Sequence, residues 1–150
     1  MSLRPFSRVL FVLALVLSLD VHGAGESVTV YKIATCGCCK MWVEHLKANG
    51  FQVTAQDVPS TAPYRQKYGV PDSLQSCHTA VVGGYVIEGH VPAAEIKRIL
   101  REHPTAKGLA VPGMPLGSPG MEASRSDTYS VVLVGPSGKV SVYKTYPGSK

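Results

Sequence analysis

The sequence predicts a single α/β domain, and three local patterns carry that reading. A strand–helix–strand succession occupies Ser27 to Val58, a Gly83-Gly84 pair separates two apolar runs, and an amphipathic stretch follows Pro92. SVTVYKI, from Ser27 to Ile33, is β-branched and alternates apolar with polar residues, the period of a half-buried strand. ATCGCCK leads from it into Met41 to Asn49, where Cys39, Trp42, Val43 and Leu46 recur at helical spacing. Asn49-Gly50 supplies the C-terminal stop of that helix. Phe51 to Val58, with Phe51, Val53 and Ala55 alternating, is a second strand. Short connections around one helix make this a βαβ unit, whose two strands are expected to be parallel.

Ser60 to Tyr68 has capping residues Ser60 and Thr61, Pro63 suited to a first turn and a stop at Gly69. It predicts a short helix with Tyr64 and Tyr68 facing inward. Thr79 to Val82 and Tyr85 to Glu88 flank Gly83-Gly84, which fits a two-residue hairpin turn. Pro92 opens a last helix whose Ile96, Ile99 and Leu100 form an apolar stripe, ending before Pro104. The resulting order, β-α-β-α-β-β-α, matches a thioredoxin-like domain. Thr105 to Ser126 is rich in Gly, Pro and Ser without a helix or strand period, and predicts a loop. A C-terminal hairpin is expected at about 128–146, with strands Tyr129 to Val134 and Lys139 to Tyr143 joined by Gly135-Pro136-Ser137-Gly138.

The 150 residues, 45% of them hydrophobic and 17% charged, fit one domain and exclude a disordered chain. Residues 1–24 read as a cleaved secretory signal: Arg4 and Arg8 make a cationic start, Val9 to Leu19 is apolar apart from Ser18, and Gly23, Ala24 and Gly25 are small. That run is about half of the ~20 residues that span a bilayer, so no permanent membrane span is expected. Residues 25–150 are then the mature domain. Removing Arg4, Arg8 and Asp20 leaves 13 basic against 9 acidic residues, a net +4 without a Lys/Arg run, and no nucleic-acid partner is predicted.

Export changes the meaning of the four cysteines, Cys36, Cys38, Cys39 and Cys77, which are too few for a disulfide framework. In an oxidising compartment a thiol is normally paired, tied to a metal or used in redox chemistry. The first three sit where the first strand turns into the first helix, so unpaired N–H groups and the helix dipole favour thiolate there. In thioredoxin-like folds the residue before the third strand is generally a cis proline packed beside the CxxC pair. Here that place holds Ser76-Cys77-His78-Thr79, so Cys77 and His78 are expected to converge on Cys36, Cys38 and Cys39. Adjacent Cys38 and Cys39 point about 100° apart on a helix, which suits one tetrahedral zinc poorly. Cu(I) accepts two or three ligands and bridging thiolates, and thiolate and thioether donors select it. The candidate metal ligands are therefore Cys36, Cys38, Cys39, Cys77 and His78.

The blocks ATCGCCKMW, SCHTAVVGGYVIEGHVP and GLAVPGMPLGSPGME, in that order across Val28 to Glu122, resemble the DUF411 family of small exported proteins, the CopG-like copper-resistance proteins. The resemblance implies a thioredoxin-like fold, a periplasmic location and copper bound at Cys36, Cys38, Cys39 and Cys77. It also implies a part in copper or silver tolerance, with other exported metal-handling proteins as partners. It does not extend to the C-terminal hairpin.

Other readings stand beside copper binding. Cys36 as nucleophile and Cys39 as resolving thiol would make a thiol–disulfide oxidoreductase. Two disulfides stapling the domain would be purely structural. Met114 and Met121 either cap the core under the Gly/Pro loop or offer thioethers to Cu(I). His45 is placed on the solvent side of the first helix, His90 and His103 flank the last helix, and none of the three is assigned a role.

Overall fold

The structure, a computed structural model, describes residues 25–150. The expected signal segment, residues 1–24, lies outside the described residues. Eleven elements follow in order: β1 (Ser27–Lys32), α1 (Gly37–Ala48), β2 (Gln52–Asp57), α2 (Ala62–Lys67), a 3-10 turn (Asp72–Leu74), β3 (His78–Val82), β4 (Tyr85–Gly89), α3 (Ala93–Glu102), β5 (Gly108–Val111), β6 (Tyr129–Val134) and β7 (Val140–Tyr146). The strands form one sheet in the order β2-β1-β3-β4-β5-β6-β7. β1 and β2 are parallel, as the βαβ spacing predicts, while β3 runs antiparallel to both β1 and β4. The molecule is a mixed α/β domain. Among the described residues no helix is long and apolar enough to cross a membrane.

Local chemistry explains the elements the sequence marks. Gly83 and Gly84 both have positive φ, 53° and 84°, the conformation a two-residue hairpin turn demands. Pro92 caps α3, and His103 ends it in the left-handed region at φ 47° just before Pro104. Cys39, Trp42, Val43 and Leu46 are the buried face of α1. Trp42, Val43 and Leu46 pack with Val28, Val30, Ile87, Ile96, Ile99 and Leu109 into the larger core, between the sheet and helices α1 and α3. A smaller core takes neighbouring positions of the same central strands: Val86, Ala110 and Val134 meet Val70 and Leu74 from the α2 side.

Two expectations are corrected. The segment expected to be loop throughout contains β5, which pairs in parallel with β4, Val86 opposite Gly108. All four β5 residues are buried, so no alternation marks the strand. Gly108 is required there because a Cβ would lie 1.7 Å from the Val86 carbonyl oxygen. In α2 the buried residue is Arg65, not Tyr64 or Tyr68. Its guanidinium binds Asp72 Oδ1 at 3.1 Å, while Tyr64 stacks on Tyr31 with ring centroids 3.8 Å apart. The C-terminal hairpin forms, with β7 running to Tyr146 and bulging at Tyr143, between Val131 paired with Lys144 and Val132 paired with Val142.

Candidate metal centre

Helix α1 begins at Gly37, and its N-cap is Cys36, whose Sγ accepts from the Cys39 backbone N–H at 3.2 Å. A sulfur thus fills the place that Ser, Thr, Asp or Asn usually takes. Cys36 and Cys39 are joined by a disulfide, their Cα atoms 5.4 Å apart. Cys38, one residue round the helix, keeps a free thiol 3.4 Å from Cys36 Sγ. The antiparallel register of β1 and β3 sets His78 opposite Lys32, so the residue before β3 arrives beside the chain leaving β1. That residue is Cys77. The four sulfur atoms lie within 4.8 Å of one another, the convergence predicted from the order of elements. Stapling by two disulfides is not what the fold adopts, because Cys38 and Cys77 are both free.

A fifth sulfur joins them. Cys77 Sγ donates to Met114 Sδ at 2.9 Å, which places the Met114 thioether beside the cluster. Met114 has φ 46°, a left-handed conformation uncommon outside glycine that costs of order 1 kcal/mol. The Gly/Pro segment carrying it lies directly on α1. Gly120, at φ 87°, brings its Cα so close that a Cβ would stand 2.7 Å from Cys38 O and 2.9 Å from Trp42 N. Gly120→Ala is expected to cost about 2–3 kcal/mol, from left-handed strain plus collision with helix backbone. Urea unfolding reads this directly, and a loss under about 0.5 kcal/mol would contradict the contact.

His78, predicted as a ligand, is not brought to the sulfurs. Side chains alternate along β3, so with Cys77 at the cluster the His78 ring turns the other way. Its Nε2 pairs with Gly89 O at 2.8 Å, and its ring stacks on Trp42 at 4.3 Å and on His90 at 5.3 Å between centroids. Trp42 Nε1 donates to Val91 O at 2.9 Å. His78 is fully buried and its pKa is pushed down to about 3, by desolvation and the neighbouring His90 imidazole. Burial likewise lowers the pKa of His90. His45 is half-buried rather than solvent-facing. Its Nε2 accepts from Ala93 N at 3.1 Å at the start of α3, which a solitary histidine on a helix could not announce in sequence.

The electrostatics of Cys77 differ from those expected for thiols at a helix start. Burial raises its pKa, and the adjacent Cys38 thiol raises it further. Sequence reasoning also passed over Glu88, which is buried in β4 and binds Ser76 and Thr79 on either side of Cys77. A carboxylate inside the apolar run YVIEG was the available signal.

A search of the curated proteins finds no match. Residues 74–121 match the family described as "Protein of unknown function, DUF411". Fold and site together define an α/β protein with an all-sulfur donor cluster at its first strand-to-helix turn. Two solved structures are similar to it over nearly their whole length. "Copper resistance protein copG- Form 1" is 50% identical with a TM-score of 0.77, over 81% of this chain and 98% of that one. "Copper resistance protein copG- Form 2" is 48% identical with a TM-score of 0.78, over 82% and 99%. The chain belongs to the family of the copper resistance protein CopG.

Proposed function

We propose that the chain is an exported, periplasmic copper-binding protein that holds Cu(I) in a multinuclear thiolate site on a thioredoxin-like scaffold. The observation carrying this reading is the set of four cysteine sulfurs within 4.8 Å, with the Met114 thioether against Cys77. Thiolate and thioether donors select soft Cu(I), and the cluster offers no carboxylate or imidazole to a harder ion. The proposed donor set is Cys36, Cys38, Cys39 and Cys77 with Met114. His78 packs behind them on Trp42 instead of serving as the fifth ligand. The sheet order β2-β1-β3-β4, with β3 antiparallel, supports the thioredoxin-like assignment. The names of the two similar structures support a role in copper resistance. Copper ions are the cargo, exchanged with other exported copper-handling proteins.

Loading requires an external dithiol to reduce the Cys36–Cys39 bond by thiol–disulfide exchange, the dithiol itself becoming a disulfide and leaving two thiolates that can share metal with Cys38 and Cys77. Anaerobic titration of reduced protein with Cu(I) against a competing chelator is expected to give more than one ion per chain. Cys36→Ser combined with Cys77→Ser should weaken binding by at least about tenfold. A stoichiometry below one, or affinity indifferent to both substitutions, would overturn the reading.

The Cys36–Cys39 disulfide favours a second reading, a thiol–disulfide oxidoreductase. There the Cys36 thiolate attacks a substrate disulfide, one substrate sulfur leaves, and Cys39 thiolate displaces the other, regenerating the intramolecular bond. Turnover of a model disulfide by reduced, metal-free protein decides it, and absence of turnover removes it.

A further inference from the structure

Glu88 is out of place by composition: its side chain is buried in the middle of the sheet, on a strand whose other residues are Tyr85, Val86, Ile87 and Gly89. Burying a carboxyl group costs several kcal/mol unless its oxygens are satisfied, and an apolar residue there would cost nothing of the kind. Both oxygens are satisfied, and by one short segment. Oε1 accepts from Ser76 N at 2.7 Å and lies 3.1 Å from Ser76 Oγ, and Oε2 accepts from Thr79 Oγ1 at 2.7 Å. Ser76 Oγ passes the restraint on, donating to His78 O at 2.7 Å and receiving His78 N at 3.3 Å. Residues 76, 78 and 79 are therefore tied to one carboxyl group, directly or through Ser76. The residue they enclose is Cys77. The buried Arg65 guanidinium is hydrogen-bonded to Asp72, and the hydrogen bonds of Glu88 go to this bend, with Arg65 acting on it only through space.

We propose that Glu88 is a positioning residue, whose carboxyl group clamps the Ser76–Thr79 bend so that the Cys77 thiol is held against Cys38 and Met114. Its consequence for metal affinity rests on the copper-site reading, whereas its consequence for the Cys77 thiol does not. The hydrogen bonds of Glu88 run to the backbone and hydroxyl groups around Cys77 and not to a sulfur, and beyond them its charge adds only the least of the influences that raise the Cys77 pKa.

The test uses the mature chain with Glu88→Leu, which removes every contact, and Glu88→Gln, which keeps an oxygen acceptor and the shape. With the Cys36–Cys39 bond intact, alkylation of Cys77 by iodoacetamide, followed by peptide mass mapping, should change rate by at least about fivefold in Glu88→Leu and return towards wild type in Glu88→Gln. Anaerobic Cu(I) affinity of reduced Glu88→Leu should fall by about tenfold, and combining it with Cys77→Ser should add little to Cys77→Ser alone. A cooperative urea transition establishes that each variant is folded. Should Glu88→Leu not fold, Thr79→Val removes one clamp contact and is expected to shift the alkylation rate in the same direction by a smaller factor. Wild-type alkylation in a folded clamp variant, or Cu(I) losses that simply add to those of Cys77→Ser, would overturn the inference. Altered alkylation in a protein that takes up no Cu(I) would support the clamp and overturn the copper reading instead.

Discussion

Trp42→Ala is expected to lower the free energy of unfolding by about 3–5 kcal/mol, the range for deleting a large aromatic side chain from a packed interior. Trp42 is 0% exposed and belongs to the larger core with Val28, Leu46, Ile87 and Ile96. Truncation opens a cavity, strands the Val91 carbonyl that receives Nε1 at 2.9 Å, and removes the ring against which His78 stacks. Trp42→Phe separates these contributions. It keeps an aromatic face for His78 but leaves Val91 O unpaired, so a smaller cost of about 1–3 kcal/mol is expected. Urea unfolding followed by circular dichroism measures both, and a Trp42→Ala loss below about 1 kcal/mol would refute the packing described.

Acid is expected to destabilise the fold well above the pH at which carboxylates titrate. His78 has its pKa pushed down from 6.5 to about 3 by burial and by His90. Between those values the unfolded chain binds a proton at this position and the folded chain does not. Stability is therefore fully present above about pH 6.5 and drains away as the pH falls towards 3. A shift of that size is worth on the order of 5 kcal/mol. His90 and His45, also lowered by burial, act in the same direction. Glu88 acts oppositely: burial raises its pKa, so its contribution is present at low pH and is lost as pH rises through its folded value. Unfolding free energies measured from pH 7 down to pH 4 should fall steadily in the wild type. His78→Asn, which keeps a donor for Gly89 O but does not titrate, should flatten the curve. A wild-type curve already flat over that interval would rule out a neutral, buried His78.

The legible parts of this protein are those in which one local rule acts alone. The buried face of α1 shows in the spacing of Cys39, Trp42, Val43 and Leu46, the β3–β4 turn in Gly83-Gly84, and the start and end of α3 in Pro92 and Pro104. The convergence of Cys77 on Cys36, Cys38 and Cys39 is legible too, because strand order carries a residue forty positions away to the same sheet end. What stayed hidden depends on partners distant in sequence. β5 is buried on both faces and so has no period of its own. The turning of His78 away from the sulfurs follows from alternation once Cys77 is fixed, but nothing local says which of the two neighbours faces the cluster. Met114 reaches Cys77 across 37 positions through a left-handed residue, which no propensity favours. His45 and Glu88 gain their roles only from Ala93, Ser76 and Thr79, and a single charged or imidazole group does not name its partner.

Cys36 carries two duties on one atom. Its sulfur both closes the first turn of α1, by accepting the Cys39 amide, and belongs to the cysteine cluster. A change in what that sulfur is bonded to alters the lone pairs facing the helix, so the chemical state of the site is written into the end of α1. Further along the same helix, His45 receives the first amide of α3, so two of the domain's helices are joined through α1 to the cysteines. The start of α3 is thereby held by the same helix whose first turn is closed by one of the site's own sulfurs.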